Sequence, residues 1–128
     1  MSAAQLGFEP DTVIQELGWD EDVDEALRAE IEKHIGSELV DGESGDVVDG
    51  VILWWREDDG DLVDALVDTL HDLVEGGAVW LLTPKVGRDG YVANADIAEA
   101  APVAGLATTS TLNASADWAA TRLSTPKR

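Results

Sequence analysis

Between Asp20 and Ile35 (DEDVDEALRAEIEKHI) apolar residues return at every fourth position, as Val23, Leu27, Ile31 and Ile35. That stripe predicts a helix packed by one face, closed by Gly36. TVIQEL (Thr12–Leu17) before it predicts a short strand, and ELVD (Glu38–Asp41) after it a second one. DGESGD (Asp41–Asp46) has the Gly and Ser content of a loop. VVDGVILWW (Val47–Trp55) has the nearly continuous apolar character of a strand buried on both faces.

The next repeat is the clearest. In DLVDALVDTLHDLV (Asp61–Val74) Leu62, Val63, Leu66, Val67, Leu70, Leu73 and Val74 share one face, while Asp61, Asp64, Asp68 and Asp72 share the other. A helix is predicted there, ended by Gly76 and Gly77. AVWLLT (Ala78–Thr83) predicts a buried strand halted by Pro84, and NADIAEAAPVA (Asn94–Ala104) a helix shortened or kinked by Pro102 and ended by Gly105. Leu106–Ala114 and Trp118–Ser124 predict a closing antiparallel hairpin. This order points to an α/β fold with a mostly parallel sheet, helices on both faces and a C-terminal antiparallel hairpin.

A length of 128 residues with 45% apolar content suits one domain over 1–128, with residues 1–10 and 125–128 as flexible tails. No apolar run approaches the roughly 20 residues that span a bilayer. MSAAQLGFEP at the start lacks a basic n-region and an apolar h-region, so the expected location is cytoplasmic. With no cysteine, disulfides, thiolate metal sites and thiol nucleophiles are excluded.

Charge changes the picture more. The net charge is -19, and it is uneven: residues 1–75 hold 23 acids and three bases, residues 76–128 four acids and five bases. Such a field repels phosphate backbones and anionic lipid, so the expected partner is a protein with a basic surface, with no nucleic acid and no membrane.

VILWWREDDGDLVDALVD, GGAVWLLTPKVGRDGYV, AAPVAGL and the late Asp117-Trp118 resemble a small acidic protein family of unknown function from high-GC Gram-positive bacteria. That family is more distantly similar to the C-terminal half of Rossmann-like methyltransferases, in which a helix ending in Gly-Gly feeds a strand of the form xVWLLTPK. The resemblance implies a small Rossmann-like fold and no particular activity.

A methyltransferase or dinucleotide site needs a Gly-rich turn after the first strand, where the backbone approaches the ligand. LGWDEDVDE (Leu17–Glu25) offers one glycine, a tryptophan expected to fill the cofactor's space, and acids that already neutralise the helix end. Neither a P-loop nor a G-x-S-x-G context is present. His34 and His71 lie in different elements without ligand spacing, and EDDGD (Glu57–Asp61) lacks the length and terminal glutamate of a Ca²⁺ loop. No catalytic residue, cofactor or metal site is assigned.

The remaining candidate surface is the rim formed by the carboxyl ends of the parallel strands, where doubly wound folds meet their ligands. It gathers Trp19, then Trp54, Trp55 and Arg56, then Lys85 and Arg88. Strand alternation sends Trp54 and Trp55 to opposite faces: at least one plugs the core, and the other lies over the rim with Arg56. Asp64, Asp68 and Asp72 stack along one helix side as an acidic face. Two readings follow. One is a non-catalytic adaptor or regulatory protein using its acidic helices and this rim; the other is a small-molecule binder or residual enzyme with a degenerate methyltransferase-like pocket. An open pocket lined by Arg56, Lys85 and Arg88 favours the second, and a filled rim the first.

Overall fold

The computed structural model describes residues 8–41, 47–115 and 117–125. Among them five strands, β1 (Ile14–Leu17), β2 (Val48–Trp54), β3 (Leu73–Pro84), β4 (Ala107–Asn113) and β5 (Trp118–Ser124), form one sheet in the order β1-β2-β3-β5-β4. Three α-helices, α1 (Glu25–Ile35), α2 (Leu62–Thr69) and α3 (Asn94–Val103), and a 3-10 turn at Glu57–Asp59 complete the described elements.

The α/β class is as expected; the pairing is more evenly mixed. β1, β2 and β3 pair in parallel, whereas β5 runs antiparallel to both β3 and β4. Four strands share one direction, yet two of the four pairings are antiparallel, because the hairpin folds β5 back between β3 and β4.

Two helix ends differ from the periodicity. Asp24, whose carboxylate accepts from the Leu27 N–H at 3.0 Å, starts α1 at Glu25, and Asp20–Val23 forms a separate turn closed by Val23 N–H to Asp20 O. Gly36 closes it with φ 84°, its N–H bonded to Glu32 O. Asp61 caps α2 by accepting from the Val63 and Asp64 N–H groups, but that helix stops at Thr69. Leu73 and Val74 belong to β3, and Gly76 and Gly77 lie inside that strand rather than ending a helix. Strand pairing wins here because neighbours satisfy the backbone: the Val48 N–H donates to Asp72 O at 2.8 Å and the Gly76 N–H to Thr125 Oγ1 at 2.9 Å. The register jumps from Val48↔Leu73 to Gly50↔Ala78, and the two glycines absorb the extra residues as a bulge. A Cβ on Gly77 would sit 2.6 Å from Leu73 Cδ1.

The segment Glu38–Asp41 forms no full strand, only a parallel bridge between Val40 and Gln15 on the outer side of β1. That bridge explains the layering. From β1 the chain passes through α1 outward to Val40, whereas from β2 it passes through α2 in the opposite direction to β3. Crossovers of one hand therefore place α1 and α2 on opposite faces. The loop expected at Asp41–Asp46 falls, apart from Asp41, outside the described residues.

Each face has its own core. Ile52, Trp54, Trp80, Leu82 and Trp118 pack under Leu27, Ile31 and Ile35 of α1, while Val51, Leu53, Trp55 and Leu81 pack under Leu66 of α2 and Ile97 and Ala101 of α3. Ile31 and Ile35 are fully buried, each contributing roughly 2 kcal/mol. Phe8, in the segment expected to be a tail, is buried in the first core, and its carbonyl lies 2.6 Å from His34 Nε2. Residues 1–7 and 126–128 lie outside the described residues. Among the described residues, no helix is long and apolar enough to cross a membrane.

Candidate functional site at the strand ends

The chain leaves β1 outward through α1 and returns inward to β2, so the carboxyl ends of these two strands form a topological switch point. Open α/β sheets offer ligands a crevice there. Gly18 ends β1 with φ 76°, and a Cβ there would lie 2.2 Å from Trp54 O, so only glycine lets the two strand ends approach this closely.

Arg56 lies in the crevice and is fully engaged there. Its Nε donates to Asp22 Oδ2 at 3.0 Å and its Nη2 to Asp22 Oδ1, a two-pronged pair with a carboxylate from the loop after β1. Its Nη1 donates to Gly18 O at 2.7 Å and to Asp59 Oδ2 at 3.2 Å. Asp59 also accepts from the Arg56 backbone N–H, which fixes the turn after β2. The guanidinium carbon stands 5.3 Å from the Trp118 ring centroid, a cation–π contact on the side of the core. Only 11% of the Arg56 side chain remains exposed. Burial pulls the Arg56 pKa down, but its hydrogen bonds to the Asp22 and Asp59 carboxylates, with their charge, outweigh it and the net shift is upward. Arg56 in turn lowers the Asp22 carboxyl below its ordinary value, chiefly through their hydrogen bonds.

A second network lies one layer below. Glu16, only 8% exposed in its side chain, takes Arg28 Nε at 2.5 Å and Nη2 at 2.8 Å, and also accepts from Trp54 Nε1 at 2.9 Å. The Glu16 bonds raise the Arg28 pKa. Arg28 also reaches Glu25 at 2.7 Å and lowers that carboxyl. Trp54 meets Trp118 edge to face at 4.9 Å between centroids, so both networks hold one aromatic pair.

The sequence-selected residues are only partly brought together. Trp54 and Trp55 do point to opposite faces, but both are buried, at 0% and 7% exposure, so neither lies over the rim. Trp19 is 53% exposed and donates to Glu25 Oε2; it does not fill the crevice. Arg56, paired with Asp22, occupies part of that space instead. Arg88 is paired with Asp117 at 3.3 Å, and Lys85 lines a different hollow, so the three bases do not share a pocket. Beside Arg56 an open hollow of about 290 Å³ remains at the strand ends, lined by Trp19, Asp20, Trp54, Trp55, Arg56 and Asp59 among others. Asp64 and Asp68 are exposed on α2, but Asp72 lies beyond that helix and accepts from the buried Gln15 Nε2 at 3.2 Å, so the three do not form one helical face.

Sequence reasoning missed Asp22, Asp59, Trp118, Glu16 and Arg28 as members of these networks. A usable signal was the scarcity of bases in residues 1–75: Arg28 and Arg56 are two of only three there, among 23 acids, and each is claimed by more than one carboxylate. Among the described residues, no group of three or more His, Asp or Glu side chains is placed to hold a metal ion.

A family model described as "Protein of unknown function (DUF3052)" matches residues 3–127. The chain belongs to this family. It is 52% identical over 125 residues to the uncharacterized proteins Rv2239c of Mycobacterium tuberculosis and Mb2263c of Mycobacterium bovis, covering 98% of this chain and 78% of each relative. These relatives place the family in actinobacteria. Among solved structures the chain is similar to a SAM-dependent methyltransferase from Aquifex aeolicus (TM-score 0.65, 10% identity, 96% of this chain and 87% of that one). It is also similar to a TehB-like SAM-dependent methyltransferase from Corynebacterium glutamicum (TM-score 0.60, 15% identity, 98% and 85%). At such identities the shared property is the methyltransferase fold, as the distant resemblance implied.

Proposed function

We propose that this chain is a non-catalytic binding module, an adaptor or regulator that engages a basic surface of a partner protein through the acid-rich loops around its strand-end rim. The observation that supports it most is the state of Arg56. Its three nitrogens are committed to Asp22, Asp59 and Gly18 O, within the crevice where a ligand of this fold would enter. Around that crevice the loops present Asp20, Glu21, Glu57 and Asp58, all exposed. A small anionic ligand at the rim meets these carboxylates and an arginine already satisfied, whereas a basic protein surface meets complementary charge.

Two measurements test the reading. Calorimetric titration with S-adenosylmethionine is expected to give no saturable heat, and micromolar binding would restore the enzyme reading. For the partner, the full chain serves as bait in an actinobacterial lysate beside a variant carrying Asp20→Asn, Glu21→Gln, Glu57→Gln and Asp58→Asn. These acids lie outside the Arg56 network, so the variant keeps the fold. A partner retained by the original chain at low salt, released by added salt and lost from the variant supports the module. Identical capture by both chains refutes it.

A further inference from the structure

A second hollow, of about 460 Å³, opens where the end of β3 meets the start of α3 and the β4–β5 hairpin. Its chemistry is unlike the rest of the molecule. In a chain with 27 acids and eight bases, its ten lining residues include no acid and one base, Lys85. Lys85 is half-buried as a residue, and its ammonium has no hydrogen bond or ion pair among the described residues.

One wall is the N-terminus of α3, with Asn94 lining the hollow. The capping position is Ala93, which supplies no side-chain acceptor, so the first N–H groups of this ten-residue helix lack the oxygen that Ser, Asp or Asn would give. Asp96 adds an acid to that first turn, but it is exposed and not part of the wall.

An independent observation comes from the floor. Thr83 is 2% exposed, and its hydroxyl has no hydrogen-bond partner among the described residues. No wholly sealed side-chain oxygen or nitrogen among the described residues lacks a partner. The unbonded Thr83 oxygen must therefore keep its open surface on the hollow that this residue lines. A hydroxyl with no protein partner that faces the hollow is available to bond an incoming polar group. Tyr91 and Leu112 supply aromatic and apolar wall.

We propose that this hollow binds a small organic anion, its carboxylate or phosphate group held by Lys85, the free N–H groups of α3 and the Thr83 hydroxyl, its apolar body lying against Tyr91 and Leu112. The volume falls in the ordinary range of small-ligand sites, and a helix N-terminus beside a lysine is a recurrent anion receptor. The site stands apart from the acidic rim: it shares no lining residue with the hollow beside Arg56.

The test is an amide chemical-shift titration of the full ¹⁵N-labelled chain, at constant ionic strength, with benzoate, phenyl phosphate and the neutral benzyl alcohol. At least one anion is expected to give saturable shifts centred on Thr83, Lys85, Asn94 and Ala95. Which anion saturates first distinguishes a carboxylate ligand from a phosphate. Lys85→Gln is expected to weaken the response by roughly tenfold or more, the loss typical of one charge-assisted hydrogen bond, and Thr83→Val to weaken it several-fold. The absence of saturable shifts with both anions, an equal response to benzyl alcohol, or unaltered binding by Lys85→Gln would overturn the proposal. Should Thr83→Val fold poorly, Lys85→Gln carries the test alone, because that side chain has no partner to lose.

Discussion

The Arg56 guanidinium grips both carboxylate oxygens of Asp22, 34 positions earlier in the chain, and so ties the loop after β1 to the turn after β2. Replacing Arg56 by Met removes this clasp, the bond to Gly18 O and the contact with Trp118 together. The loss is expected to be about 2 kcal/mol in urea unfolding, modest because Asp22 is half exposed and is rehydrated. Arg56→Lys should recover only part of it, since an ammonium lacks the planar fork. Equal stability of all three chains would show that the clasp is ornamental.

Acid should undo the same clasp. The Asp22 pKa is lowered from its ordinary 3.8 by Arg56, so its stabilisation is complete above that ordinary value and is lost as pH falls through the lowered one. The thermal-stability advantage of the original chain over Asp22→Asn should therefore be constant near neutrality and shrink below about pH 4. The comparison must be between the two chains, because protonating the many unpaired acids also relieves repulsion. An advantage that does not change with pH would mean that the pair's charge contributes nothing.

Two glycines with similar backbone angles should differ sharply. Gly18 has φ 76° and no room for a Cβ, whereas Gly36 has φ 84° and nothing within 4 Å of one. Gly18→Ala combines strain with overpacking and is expected to cost about 3 kcal/mol or more, and Gly36→Ala about 1 kcal/mol from strain alone. Urea midpoints of the two variants check this.

The acids of the α2 region should likewise separate. Asp64→Asn and Asp68→Asn are expected to leave stability unchanged or raise it by a few tenths of a kcal/mol, since like charges at this spacing repel. Asp72→Ala should cost about 1 kcal/mol, because it takes an acceptor from the buried Gln15 amide. If all three behave alike in thermal melts, the Gln15–Asp72 bond is not a determinant of stability.

What the sequence by itself determined is what depends on neighbours along the chain. The fourfold stripe of α1, its stop at Gly36, the two-faced apolar run into Trp54 and Trp55 and the C-terminal hairpin were all legible, because each is a local preference of period or turn. Periodicity misled at Leu73 and Val74, which fit the helical face of α2 but join β3, since the strand partners Val48 and Thr125 lie far away in sequence. The rim followed the same division. That Arg56 stands at a strand end was readable. That it is consumed there, by Asp22 through a loop and by Trp118 on an antiparallel strand entering from the far end of the chain, was decided only by the tertiary structure. A charged side chain's partners are set by which loops the sheet brings to one edge, and strand order is a property of the whole fold rather than of any window of residues.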